Sequence, residues 1–314
     1  MSAKYLIVGF CTYMPVDKVA VLCRSVRAVY PPRLAEIVLI TNDPDLYAEG
    51  LAGLDVSFHL TTCDYAPTTS KTEKAFKRAA FYFTRMLAGG FLDRKFWGGA
   101  CSRFLPNLIE SWCHPQIARW RAYAPVLRAR PYVEKVLLTD TKDVILQDDC
   151  FADLEGECVQ LFDEGMTVPE ERWTASWIRD GFGEAAVRSM EGIPVICVGT
   201  VLGTRKATLG LLDGVESMFL RYPFRTVDQG TMNWLWCKEG DSEHVARVPN
   251  ITGAVATVSS DAAKNALAID EGLIVRRSDG TVVPIVHMWD RWSDLQTAVV
   301  GRLGSTTPVQ GQPS

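Results

Sequence analysis

The chain has 314 residues, 47% hydrophobic and 22% charged, with Lys+Arg 33 against Asp+Glu 37 and a formal net charge of -4. A globular chain of this length buries about three quarters of its unfolded surface, so its stability needs no disulfide or metal staple. No basic run marks a nucleic-acid arm or a polybasic anchor, and no stretch reaches the roughly 20 apolar residues of a membrane span.

The opening apolar run, Tyr5 to Cys11, is too short for a signal peptide and reads as a buried strand. Val16, Val19, Ala20, Cys23, Val26 and Tyr30 then recur at helical spacing, and Pro31-Pro32 ends that helix. Glu36 to Thr41 and Val56 to Leu60 read as further strands, the first closed by the turn residues Asn42-Asp43-Pro44. The apolar stripe from Ala75 to Leu87 predicts a helix over 72–88, stopped by Gly89-Gly90. The segment 91–130 is aromatic-rich, with helical stretches near 105–112 and 116–124.

Val133 to Leu138, Cys158 to Phe162, Val195 to Val198 and Val282 to His287 read as strands; Lys206 to Phe219 and 229–237 read as helices. Short apolar strands alternating with helices predict an α/β protein built on a mostly parallel sheet. No linker divides the chain, which predicts one domain over 1–300 and a loose tail over 301–314. Nine cysteines without C-x-x-C spacing read as small buried residues in a reducing, cytoplasmic setting.

The most informative segment runs from Lys135 through Asp140-Thr141-Lys142-Asp143-Val144 to Phe151. An apolar strand delivers two carboxylates to the carboxyl edge of the sheet, where ligands of open α/β sheets bind. A hard cation such as Mn²⁺ or Mg²⁺ wants such oxygen ligands and keeps positions for substrate phosphates. An acidic protein needs that local help to hold a phosphorylated ligand. The alternative is that Asp140 and Asp143 only cap the turn.

The motif Asp140-x-Lys142-Asp143-Val144, followed by Gln147, Asp149 and Phe151, resembles GT-A glycosyltransferases. It is similar to a bacterial and plant group with the pattern S/T-D-x-R/K-D-V-x-F/L-Q-x-D-P-F, where Cys150 replaces Pro. Later segments resemble the same group in order over roughly 114–292: Val198-Gly199 to Gly203, Asp228-Gln229 to Asn233, and His287-Met288-Trp289-Asp290-Arg291. The group usually carries Asn where this chain has Val198, so no sugar-binding amide carries over there. The resemblance implies a GT-A-like fold, with a Rossmann-like nucleotide-binding half over 1–147 and an acceptor half over 148–300. It implies transfer of a sugar from a nucleotide-diphosphate donor, a UDP-sugar, to a hydroxyl acceptor, with a leaning toward retention of configuration.

Under that resemblance the metal ligands are Asp140, Asp143 and His287. The nucleotide-sugar contacts are Thr12, Tyr13, Asp43, Arg119, Asp140, Lys142, Gly199 and Arg291, and Asp228 and Gln229 are the catalytic pair. Each has a plainer reading: Asp43 as a turn residue, Asp228 as a helix cap, Tyr13 as packing, His287 as a structural side chain. Gly199 and Gly203 permit close approach of a ligand or merely shape a turn. A nicotinamide oxidoreductase would want G-x-G-x-x-G after the first strand and a serine hydrolase G-x-S-x-G; neither is present. A strand-end aspartyl phosphotransferase prefers the first strand, which ends here in Cys11-Thr12. A non-catalytic nucleotide- or sugar-binding module of the same fold is the remaining alternative.

Overall fold

The computed structural model describes residues 3–64, 70–73, 75–77, 79–80, 83, 107–221, 227–239, 244–270 and 274–304. Its centre is a 7-stranded sheet of order β3-β2-β1-β4-β7-β6-β8. In chain order these are β1 (Tyr5–Phe10), β2 (Ala35–Thr41), β3 (Val56–Leu60), β4 (Lys135–Asp140), β6 (Val159–Thr167), β7 (Pro194–Thr204) and β8 (Val245–Val248). β3, β2, β1 and β4 run parallel, while β7 is antiparallel to both β4 and β6. The sheet is thus mostly parallel, as the alternation of strands and helices predicts.

Strands buried on both faces read as unbroken apolar runs rather than alternating ones. Leu6, Val8 and Phe10 of β1 share one core with Val38, Ile40, Val136 and Leu138. That face is covered by α3 (Pro115–Arg128) and α6 (Arg205–Arg221). Ile7, Ile37, Leu39 and Leu137 face the other way, onto Val19, Leu22, Cys23 and Val26 of α1 (Val16–Val29). A short α2 (Asp45–Ala48) follows β2. Of the helix read over 72–88, residues 72–73, 75–77, 79–80 and 83 are helical; the rest of it, and residues 91–106, lie outside the described residues.

The chain leaves β1 for β2 on one side and later returns as β4 on the other. This reversal opens a crevice at the carboxyl ends of β1 and β4, the usual ligand position in open α/β sheets. Phe10 pairs with Asp140 at that end.

The late strand read at Val282 to His287 and the helix read over 229–237 are both present, and shorter elements that carry no apolar period join them around the site. A 3-stranded sheet of order β5-β12-β9 joins β5 (Val144–Leu146), β12 (Ile285–His287) and β9 (Val255–Thr257). His287 pairs with Val144 in that sheet, which sets the late His beside the Asp turn. Helix α4 (Arg172–Phe182) is capped by Glu171, whose carboxylate accepts from the Trp173 and Thr174 N–H groups. It is followed by α5 (Glu184–Arg188) and, after β7 and α6, by α7 (Asp228–Glu239). α8 (Asp261–Asn265), the hairpin β10 (Leu267–Ile269) with β11 (Val275–Arg277), and α9 (Ser293–Leu303) close the chain. Residues 301–303, read from sequence as part of the tail, belong to α9, and 305–314 lie outside the described residues. Among the described residues no helix is long and apolar enough to cross a membrane. Among the described residues, Cys11, Cys23, Cys113, Cys150, Cys158 and Cys197 are free thiols.

Candidate active site

The turn after β4 is drawn tight against β1. Thr141 Oγ1 donates to the Phe10 carbonyl at 3.1 Å, and a Cβ on Gly9 would lie 2.3 Å from the Thr141 methyl. Gly9 is therefore required for the turn to close. Ligand atoms of Asp140, Asp143 and His287 all lie within 4.8 Å of one another. His287 Nε2 stands 3.7 Å from Asp140 Oδ2 and 3.7 Å from Asp143 Oδ1, beyond hydrogen-bond length, and this buried nitrogen has no hydrogen-bond partner. The Met288 N–H donates to the Asp143 carbonyl at 2.7 Å, holding strand end to turn. Met288 takes φ 61, in the left-handed region, a local strain of about 1–3 kcal/mol of the kind that collects at functional sites.

Gly199 on β7 forms the floor. A Cβ there would meet Asp140 Oδ2 at 2.6 Å and His287 Nε2 at 2.8 Å. Two carboxylates, an orphaned imidazole nitrogen and a floor without a side chain fit a hard divalent cation. On the other ring nitrogen, His287 Nδ1 contacts Cys197 Sγ at 3.3 Å. Burial disfavours the imidazolium, but Cys197, Asp140 and Asp143 outweigh it and raise the His287 pKa well above the ordinary range. Burial likewise raises Asp143. Burial would raise Asp140 too, but Arg119 and His287 hold it down at about 2.

A second cluster adjoins the first through Asp140. Arg119 projects from α3, buried, and its Nη1 pairs with Asp140 Oδ1. Its Nε and Nη2 donate to Asp228 Oδ2 at 2.9 and 2.6 Å, and Nη2 also reaches the Val198 carbonyl at 3.3 Å. Trp120 Nε1 donates to the same Asp228 oxygen at 2.9 Å, and the Gln229 N–H donates to the other at 2.8 Å. Asp228, 1% exposed, thus begins α7 and neutralises Arg119 at once. Asn233 braces α7 on β7 by accepting from the Ile196 N–H and donating to the Ile196 carbonyl, both at 2.8 Å.

Asp140, Asp143, His287, Arg119 and Asp228 line one cavity of about 240 Å³, together with Lys142, Gln229, Gly199 and Arg291. Lys142 Nζ lies 3.6 Å from Asp290, leaving the head group largely exposed at the rim. Of the remaining sequence candidates, Thr12, Tyr13, Asp43 and Gly203 do not line it. Tyr13 is exposed, and its hydroxyl accepts from Asn42 Nδ2 at 3.1 Å. Asp43 Oδ1 accepts from the Leu46 N–H at 3.3 Å, as a turn residue would. Gly203 faces Thr208 and β6 instead.

The trailing residues of the Asp motif are structural. Gln147 bridges Val283 and Val275 through both amide atoms, Asp149 accepts from the Tyr30 hydroxyl at 2.6 Å, and Phe151 is fully buried. Sequence reading did not anticipate Met14, Glu164, Glu171, Trp173, Trp177 or Cys197 in the cavity wall. Glu164 carried a usable signal: it stands two residues after Phe162 on β6, so a strand read through Thr167 turns a carboxylate inward. A larger cavity, about 650 Å³, lies between α6 and β8 and holds none of the candidate residues.

No family model matches the chain, and no curated protein matches its sequence. Among solved structures, the chain is similar to galactosyltransferase LgtC in complex with donor and acceptor sugar analogues, at a TM-score of 0.49 and 14% identity, covering 96% of this chain and 98% of that one. It is similar also to an active-site mutant of LgtC, at a TM-score of 0.48 and 15% identity, with the same coverage. The fold is defined by the strand order and the chemistry by the side chains of the cavity.

Proposed function

We propose that this chain is a metal-dependent glycosyltransferase of the GT-A type. It moves a sugar from a nucleotide-diphosphate donor, a UDP-sugar, to a hydroxyl acceptor with retention of configuration. One observation carries the reading: Asp140, Asp143 and His287 converge at the carboxyl edge of the sheet with the buried His287 Nε2 left without a partner. Such a nitrogen costs about 1–3 kcal/mol to bury unless a ligand completes it. A divalent ion, Mn²⁺ or Mg²⁺, would supply neutralising charge for a departing diphosphate.

The chain's own residues do the rest. Lys142 and Arg291 at the rim meet diphosphate oxygens. Arg119 holds Asp140 in place, and Asp228 keeps Arg119 charged and aligned. With both oxygens already hydrogen-bonded, Asp228 serves as an anchor and a source of negative field rather than as a mobile base. Gln229 lines the same cavity, where it would face the sugar.

A thermal-shift panel of nucleoside diphosphates with and without manganese tests this. UDP with manganese is expected to raise the melting temperature more than either alone, and Asp143→Ala to abolish the rise. Identical midpoints across the panel would sink the proposal. Stabilisation by UDP without any manganese-dependent hydrolysis of a UDP-sugar would favour the non-catalytic module.

A further inference from the structure

Gln229 stands in the first turn of α7 with its backbone held at both ends. Its N–H donates to Asp228 Oδ1 at 2.8 Å, and its carbonyl accepts from Asn233 Nδ2 at 2.9 Å. Its side chain is held too: Nε2 donates to Glu164 Oε1 at 2.8 Å and to Thr174 Oγ1 at 2.9 Å. A primary amide has two N–H hydrogens, and these two acceptors use both. Glu164 is 2% exposed and Thr174 is fully buried.

An amide can be turned over without changing its shape, so orientation must come from its neighbours. Here they decide it. Burial raises the Glu164 pKa, while the Gln229 N–H, His287 and Arg291 oppose that shift by favouring the carboxylate; the ionised carboxylate only accepts hydrogen bonds, and reversal would press the amide oxygen against it in a buried, low-dielectric site. The nitrogen therefore faces Glu164. Gln229 Oε1 accepts no hydrogen bond from the described residues, and Gln229 and Glu164 both line the cavity that contains the Asp140–Asp143–His287 group.

We propose that Glu164, assisted by Thr174, is a positioning residue that turns the Gln229 amide so that Oε1 is presented to the cavity as an acceptor for a ligand hydroxyl. The identity of that ligand as a saccharide rests on the sugar-transfer reading; the orientation does not. A bare tether of β6 to α4 and α7 would make the same contacts but leave turnover untouched.

The test uses the full chain labelled with [¹⁵N]glutamine, the Gln229 side-chain NH₂ pair being assigned by its loss in Gln229→Met. In the wild type this pair should exchange with solvent at least about tenfold more slowly than exposed glutamine amides, because both hydrogens are engaged. Glu164→Met should abolish that protection, whereas Glu164→Gln, which still offers Oε1, should keep it within about threefold. In UDP-glucose hydrolysis with manganese, Glu164→Met should lower kcat by about 10–100-fold, the usual loss for an outer-shell partner, while UDP affinity by calorimetry stays within about twofold. Glu164→Gln should restore most of that kcat.

A wild-type Gln229 amide that exchanges as fast as exposed ones overturns the proposal. So does a Glu164→Met protein of unchanged kcat. If Glu164→Met does not fold, wild-type protection together with its partial loss in Thr174→Val decides in its place. A protected amide in a protein that no nucleoside diphosphate stabilises would leave the positioning intact and sink sugar transfer. A fast-exchanging amide in a protein that UDP and manganese do stabilise would do the reverse.

Discussion

Two clusters of charge meet at Asp140 and differ in how fully they are satisfied. On the α3 side, Arg119, Asp228, Trp120 and the first turn of α7 close on one another, with each Asp228 oxygen hydrogen-bonded. On the β12 side, Asp140, Asp143 and His287 approach to 3.7 Å without a hydrogen bond between them, and Nε2 is orphaned. The closed cluster spends its interactions internally and so fixes shape. The open one retains unsatisfied ligand atoms, which is what a binding site needs before its ligand arrives.

The largest expected effect breaks the closed side. Arg119→Met leaves Asp228 buried and uncompensated, and should cost about 3–5 kcal/mol, read as a fall in the urea midpoint at unchanged slope. A loss under about 1 kcal/mol would show that the pair is not closed as described.

On the open side, Asp143→Asn removes no side-chain hydrogen bond and should change metal-free stability little, whereas His287→Ala also loses the Cys197 contact and the buried imidazole volume and should cost about 2–5 kcal/mol. Both should erase stabilisation by manganese, which amounts to about 2.7 kcal/mol at a metal concentration a hundred times Kd. If either variant keeps the manganese-induced rise in melting temperature, the three residues are not a metal site.

Gly199→Ala sharpens the boundary between the clusters. Its methyl would overlap Asp140 Oδ2 and His287, costing about 1–3 kcal/mol by overpacking and blocking the manganese shift together. A variant with wild-type melting behaviour and manganese response would show that the floor is looser than 2.6 Å implies.

The smallest effect is in pH. The His287 pKa is raised above its ordinary 6.5, so the metal-free fold carries a proton there that the unfolded chain releases first. Stability from this group is complete below about pH 6.5 and declines as pH rises through the raised folded value. Asp140, lowered to about 2, works in the opposite sense: its contribution is present above about 3.8 and is lost only in acid. Because a ligating imidazole must be neutral, manganese affinity should increase by up to about tenfold per pH unit across the window where His287 holds its proton. Calorimetric titrations at pH 6, 7 and 8 that give one common affinity would remove His287 from the ligand set.

Much of the sheet could be read in the sequence because parallel strands buried on both faces are near-continuous apolar runs. β1, β2, β3 and β4 were expected within two residues of their observed bounds. Short elements escaped, since β5 and β9 span 3 residues each and carry no period to detect. The Asp140–Asp143 turn was legible from its buried strand. The environment of Asp228 was not, because its partner Arg119 lies 109 residues away and belongs to a helix whose apolar pattern says nothing of charge pairing.

The sequence alone determined the longer apolar strands and helices and placed two carboxylates after a buried strand, because local periodicity and turn chemistry act over a few residues. Only the tertiary structure decided that β12 pairs with β5, setting His287 opposite Val144, that Gly199 floors the group they form, and that Asp228 is bound inward to Arg119. Strand pairing and burial across more than a hundred residues depend on how the whole core packs, and no local pattern encodes them.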